Sequence, residues 1–178
     1  HKNELLKPIP LGLANDYSPK NIRIENFLNY KNDNETKESK LYVNLQKNTN
    51  LRERAALEET FKGLDWVVYK EPNLNIGEYM SDLHKYEFVL CPWGNGFDTH
   101  RLWEALYSGA IPVTKKHKTY KSFRKLPIIF VDDLNDFTLE SLMIKKNLLE
   151  ESNFDMLNMS YWKKEIFSTT KENYSKET

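Results

Sequence analysis

From Lys40 onward the chain alternates between short apolar runs and longer stretches with helical spacing. "KLYVNL" (40–45) alternates along its length and is rich in β-formers, and "DWVVYK" (65–70), "EFVLCP" (87–92), "IPVT" (111–114) and "PIIFVDD" (127–133) are further strand-like runs. Between the first two, "LRERAALEETFKG" (51–63) places Leu51, Ala55, Leu57 or Glu58, and Phe61 on a helical period, with Gly63 set to end the helix. "NIGEYMSDLHKY" (75–86) opens on Asn75 with Glu78 three residues later, the spacing of a capping box. "THRLWEALYSG" (99–109) is a third helix closed by Gly109, "YKSFRK" (120–125) a short helical turn, and two more helices, 138–151 and 156–174, finish the pattern.

Strands separated by helices of this length need crossover connections, so the pattern predicts a Rossmann-like α/β fold: a parallel sheet of about five strands with helices on both faces. Residues 1–39 hold "KPIPLGLAND" and the polar run "YKNDNETKESK", with little apolar periodicity after Phe27 and Leu28. They are expected to form an extended lead-in or interdomain linker, followed by a domain over 40–150 and a C-terminal helix over 151–178.

Length and charge narrow the function classes. The 178 residues suffice for one domain with a real core. The 26 basic and 26 acidic residues cancel, so no global positive field selects nucleic acid or an anionic membrane, and any anion site must be local. No window approaches the ~18–20 apolar residues of a bilayer span. The single cysteine, Cys91, has no internal disulfide partner and lies in an apolar run, which suits a buried small hydrophobe and a reducing, cytoplasmic setting. Because the sequence starts at His1, a fragment of a longer protein is expected.

The chemistry concentrates in "CPWGNGFDTHRLWEALYSGAIPV" (91–113), which joins the third strand to the third helix. In an open parallel sheet, ligands sit beyond the carboxyl ends of the strands, where loops lead into helix N-termini. Gly94, Asn95 and Gly96 form a loop in which the glycines are expected to adopt positive φ and to let a ligand approach the main chain; the helix start behind them favours an anion. Arg101 offers a planar fork for phosphate oxygens, with Thr99 and His100 as further donors. Glu104 lies one turn beyond Arg101 on the same face, where a carboxylate meets the vicinal hydroxyls of a ribose attached to a diphosphate. Arg54, or Arg52, adds charge from the neighbouring helix. Plainer readings stand beside these: an intrahelical Arg101–Glu104 ion pair, Asp98 as a helix cap, Arg52 and Arg54 as a solvated helix face, and Trp93 and Trp103 as core or rim. The Gly-Asn-Gly spacing continues to Thr99 rather than glycine, which demotes NAD binding, and there is no Walker lysine motif, H-E-x-x-H, paired C-x-x-C or D-x-D triplet to support a metal site.

With "KLYVNLQKNTNLRERA" before it and "KLPIIFVDDLNDF" after it, this stretch resembles the donor-binding C-terminal half of GT-B glycosyltransferases, especially exostosin-like ones, over residues 40 to about 137. The most specific element is "HRLWEALYSGAIPV". The resemblance implies a nucleotide-sugar donor as substrate with no separate cofactor, Glu104 on the donor ribose, and the glycine loop with a basic residue on the pyrophosphate. It also implies a saccharide or other hydroxyl acceptor and a preceding Rossmann-like domain, with "IPLGLAND" resembling the passage between the two domains. Many retaining members carry a second glutamate eight positions before the ribose glutamate. Here that position is Gly96, and Asp98 is the substitute for sugar contact. A non-catalytic nucleotide or phospho-sugar binding module and an interaction domain are the alternatives.

Overall fold

The computed structural model describes residues 8–14, 21–30, 36–46, 48–149 and 152–174. The five apolar runs form one all-parallel sheet of β1 (Glu38–Asn44), β2 (Val67–Lys70), β3 (Tyr86–Leu90), β4 (Ile111–Lys115) and β5 (Ile129–Val131), in the order β2-β1-β3-β4-β5. Leu41 pairs with Val67 on one side and Phe88 on the other; Phe88 pairs with Ile111, and Val113 with Ile129. The connecting helices are α1 (Ile24–Asn29), α2 (Leu51–Phe61), α3 (Ile76–Lys85), α4 (His100–Tyr107), α5 (Leu139–Asn147) and α6 (Met159–Tyr174). Short 3₁₀ helices occupy Lys118–Phe123 and Phe154–Leu157. This is the α/β arrangement that the alternation of runs predicts.

The period of two along each strand divides its side chains between two cores. Leu41, Val43, Phe88 and Leu90 meet Leu57 and Phe61 of α2 and Leu142 of α5. Tyr42 and Val89 point the other way, to Met80 and Leu83 of α3 and to Leu102, Ala105 and Leu106 of α4. A sheet covered on both faces has no solvent side, which is why its strands read as nearly unbroken apolar runs.

The helix ends follow the local chemistry of the sequence. Asn75 and Glu78 cap α3 reciprocally, the Glu78 N–H donating to Asn75 Oδ1 at 2.9 Å and the Asn75 N–H to Glu78 Oε2 at 3.0 Å. At the end of α4, Gly109 has φ +70°, the Ala110 N–H donates to the Ala105 carbonyl and the Gly109 N–H to Leu106, the paired bonds of a Schellman motif. That stop turns the chain directly into β4.

Two elements differ from expectation. Helix α2 faces the core with Arg54, Leu57 and Phe61, a spacing of three and four, and leaves Leu51 62% exposed. An inward arginine was hidden because its apolar stem fits the helical stripe while its head finds carbonyls, described below. Helix α1 lies in the stretch read as extended lead-in. Ile22 before it is buried, and Phe27 and Tyr30 pack on the same core, Tyr30 stacking on His84 with ring centroids 3.9 Å apart. Three inward side chains among polar neighbours are too few to display a period.

The strand order reverses between β1 and β3. Connections leave these two neighbours toward opposite faces of the sheet, so a crevice opens beyond their carboxyl ends, at Asn44 and Leu90. The loop 91–99 begins there.

Candidate functional site

Beyond β1 lies a cavity of about 680 Å³, within the range of small-ligand sites. Asn44 and Gln46 bound it on the β1 side, the Pro72–Ile76 turn on the β2 side, and Tyr79, Arg101 and Glu104 from helices α3 and α4. The i, i+3 spacing of Arg101 and Glu104 therefore does bring both side chains to one cavity.

The arrangement of these groups is not an intrahelical ion pair. None of the ion pairs among the described residues joins Arg101 to Glu104. Instead the Tyr79 hydroxyl donates to Glu104 Oε2 at 2.8 Å, and the Arg101 guanidinium carbon lies 5.2 Å from the centre of the Tyr79 ring. Arg101 Nη2 donates to Asn44 Oδ1 at 3.3 Å, while Asn44 Nδ2 donates to the carbonyls of Lys70 and Glu71, tying the ends of β1 and β2. Arg101 Nη1 is buried and has no hydrogen-bond partner among the described residues. Such an orphaned charged donor costs about 1–3 kcal/mol or more. Burial pulls the Arg101 pKa down, but Tyr79 and Glu104 outweigh it and the net shift is upward, so the group stays cationic. Burial, opposed by Arg101 and reinforced by Glu104, pushes the Tyr79 phenol well above its ordinary value and keeps it a neutral donor.

Arg54 is 7% exposed and its fork is occupied. Nη1 donates to the Gln46 carbonyl at 2.6 Å, Nε to Trp93 at 3.2 Å, and Nη2 reaches Pro92 at 3.5 Å. It fastens the loop after β1 to the loop after β3, and its charge rather than its N–H groups reaches the surroundings. Burial and then repulsion from Arg101 lower its pKa, which marks a locally positive crevice in a chain of zero net charge. Arg52 is exposed.

The loop glycines correct an expectation. Among the described residues the glycines with positive φ are Gly12, Gly63 and Gly109, so neither Gly94 nor Gly96 is there for a left-handed backbone. A Cβ on Gly94 would lie 3.3 Å from Arg54 Nη2; the close approach it permits is that of the clamping guanidinium. Gly96 has room for a side chain. Gly94, Asn95 and Gly96 do not line the cavity. The loop closes on itself through Gly94 N–H to the Gly96 carbonyl at 3.1 Å, Asn95 is exposed, and Phe97 stacks on His117 at 3.6 Å.

Thr99 is the N-cap of α4 and makes no side-chain cap bond. Asp98 is not the cap: its Oδ1 accepts from the Trp103 indole at 2.8 Å and its Oδ2 from the Leu11 N–H at 2.7 Å. His100 joins the same contact, its Nδ1 lying 2.8 Å from the Gly12 carbonyl, which makes that nitrogen the donor. Asp98 and His100 thus hold residues 11–12 against the start of α4. Trp103 is core, and Cys91 is buried with its thiol pushed up to about 12 by burial. No three His, Cys, Asp or Glu side chains converge as a metal site among the described residues, and none of their helices is long and apolar enough to cross a membrane.

With this geometry in place, residues 24–174 match the RXYLT1 C-terminal domain. The chain belongs to that family. Its name is that of a xylosyltransferase C-terminal domain, which makes the function glycosyltransferase-related. No curated protein matches the chain. The RXYLT1 match begins at Ile24 of α1 and runs to the end of α6, so it takes in both the strands that form the crevice and every side chain of the cavity except Ile22.

Of the residues that line the cavity in this RXYLT1-type domain, sequence reasoning names Arg101 and Glu104 and not Asn44, Tyr79 or the 72–76 wall. Asn44 did leave a signal: it is the polar residue that ends the apolar "LYV" run at the carboxyl end of β1. Tyr79, one turn inside α3, looks like any aromatic on a helix facing a core.

Proposed function

We propose that this chain is the donor-binding domain of a GT-B type glycosyltransferase and that the cavity beyond β1 takes a nucleoside diphosphate sugar. The observation that carries the reading is that Arg101, whose guanidinium keeps a buried Nη1 without a hydrogen-bond partner, lines the same cavity as Glu104. Phosphate oxygens in the cavity meet the Arg101 cation, a small turn of the guanidinium brings Nη1 into bonding reach, and a carboxylate one helical turn away accepts from ribose hydroxyls. Departure of the sugar builds charge on the diphosphate; a preorganised guanidinium stabilises it, and Arg54 adds to the positive field without leaving its carbonyls. No metal ion is required for this role. The acceptor and the general base belong, in this reading, to a second α/β domain facing the carboxyl edge of the sheet. The family name makes nucleotide-linked xylose the first donor to try.

Calorimetric titration with uridine and guanosine diphosphates and with the matching nucleosides tests the reading. Arg101→Ala weakens the diphosphate far more than the nucleoside, because a lost charge-assisted contact costs roughly 1.5–3 kcal/mol. Glu104→Gln weakens both by a similar factor, and chelator leaves the affinities unchanged. Equal loss of nucleoside and diphosphate in Arg101→Ala, or silence in Glu104→Gln, contradicts the assignment.

A further inference from the structure

The two ligand-facing charges at this site do not touch each other, and one residue accounts for that. Tyr79 takes Glu104 Oε2 with its hydroxyl while its ring lies under the Arg101 guanidinium. Its own position is fixed from below: it packs on the core that includes Ile22 and Tyr42, with the Tyr42 ring centroid 6.2 Å away. An arginine and a glutamate three residues apart on a helix are placed to pair, and in a half-buried setting such pairing would quench both. Oε1 of Glu104 is left as the oxygen not engaged by Tyr79.

Resting on the nucleoside diphosphate reading above, we propose that Tyr79 is a positioning residue that sets the preference of this site for ribose over 2′-deoxyribose. By occupying Oε2 it presents Oε1 to the ribose hydroxyls, and by lying beneath Arg101 it keeps the carboxylate from collapsing onto the guanidinium that receives the diphosphate. Removing only the hydroxyl releases Glu104 toward Arg101 and disables both ends of the site together.

The test uses the full chain, with uridine diphosphate and its 2′-deoxy analogue as probes, in Tyr79→Phe, Glu104→Gln and the double variant. Tyr79→Phe keeps the ring, and thermal unfolding of each variant confirms the fold. In Tyr79→Phe the ratio of ribo to deoxy affinity falls toward one, and diphosphate affinity drops about tenfold, the scale of one hydrogen bond to a charged group. In the double variant the neutral amide has no charge with which to quench Arg101, so diphosphate binding recovers relative to Tyr79→Phe alone. A purely structural tyrosine gives additive losses and an unchanged ribo-to-deoxy ratio, and that result overturns the proposal. If Arg101→Ala and Glu104→Gln behave as assigned while Tyr79→Phe retains its ribose preference, the role of Tyr79 alone fails. If the unaltered chain binds neither probe, the nucleotide reading fails and the proposal falls with it.

Discussion

Two arginines in one crevice, one buried and one half-buried, are predicted to respond unequally to the same substitution. Arg54→Met removes a cation whose fork meets the carbonyls of Gln46 and Trp93 at 2.6 and 3.2 Å, with Pro92 at the limit of bonding. Each bond from a charged donor is worth roughly 1.5–3 kcal/mol and two such bonds are lost outright, so the loss is about 3–5 kcal/mol. Arg101→Met removes one bond of 3.3 Å to Asn44 and a contact with the Tyr79 ring, together worth about 1–3 kcal/mol. It also removes an unpaired buried Nη1 and the desolvation of its charge, a relief of similar size, while methionine keeps the apolar stem. The net change is within about 1 kcal/mol of zero. Urea unfolding followed by tryptophan fluorescence and far-UV circular dichroism reads the difference: with a slope of roughly 1–3 kcal/mol per molar, the Arg54→Met midpoint falls by about 1–5 M while that of Arg101→Met barely moves. Saturating nucleoside diphosphate then raises the midpoint of the unaltered chain and not that of Arg101→Met. Equal destabilisation by the two substitutions would refute the reasoning, because it would make Arg101 a structural cation like Arg54.

Two further outcomes follow from the buried titratable groups. The Cys91 thiol, pushed up to about 12 by burial, resists alkylation at pH 8 in the folded chain and reacts at once in denaturant; labelling of the native protein at the rate of a free thiol contradicts its placement. Lys37 donates to the carbonyls of Leu83 and His84 at the end of α3, and its burial lowers its pKa to about 8 against an unfolded value near 10.4. The unfolded chain therefore binds more protons between those values, so the Lys37 contribution makes stability rise from about pH 8 to 10. Lys37→Met removes that rise. Above about pH 10 the buried phenols of Tyr42, Tyr79 and Tyr120, all raised by burial, reverse the trend.

What could be read in the sequence was local or periodic. The five strands, the Asn75–Glu78 box, the Gly109 stop and the shared face of Arg101 and Glu104 each depend on residues within a few positions of one another. What escaped depends on contacts across the fold. Asn44 and Tyr79 reach the cavity from elements 57 and 25 residues away from their partners on α4. Asp98 is met by Leu11, 87 residues earlier, and its carboxylate holds that segment rather than capping α4. The glycines of the 94–96 loop show the same limit: their spacing pointed to a ligand, whereas Gly94 makes room for Arg54. A spacing identifies which residues share a face; only the packed structure identifies what that face meets.

The central claim is that Arg101 and Glu104 together hold the diphosphate and ribose of one nucleotide beyond β1, and a crystal structure of the chain with a nucleoside diphosphate tests it most directly. The account predicts phosphate oxygens within hydrogen-bond distance of the Arg101 guanidinium and a ribose hydroxyl on Glu104, with Tyr79 still bonded to Oε2. A nucleotide bound instead in the basic cavity of about 430 Å³ between Lys116 and Arg124, with the Arg101 site untouched, would contradict it.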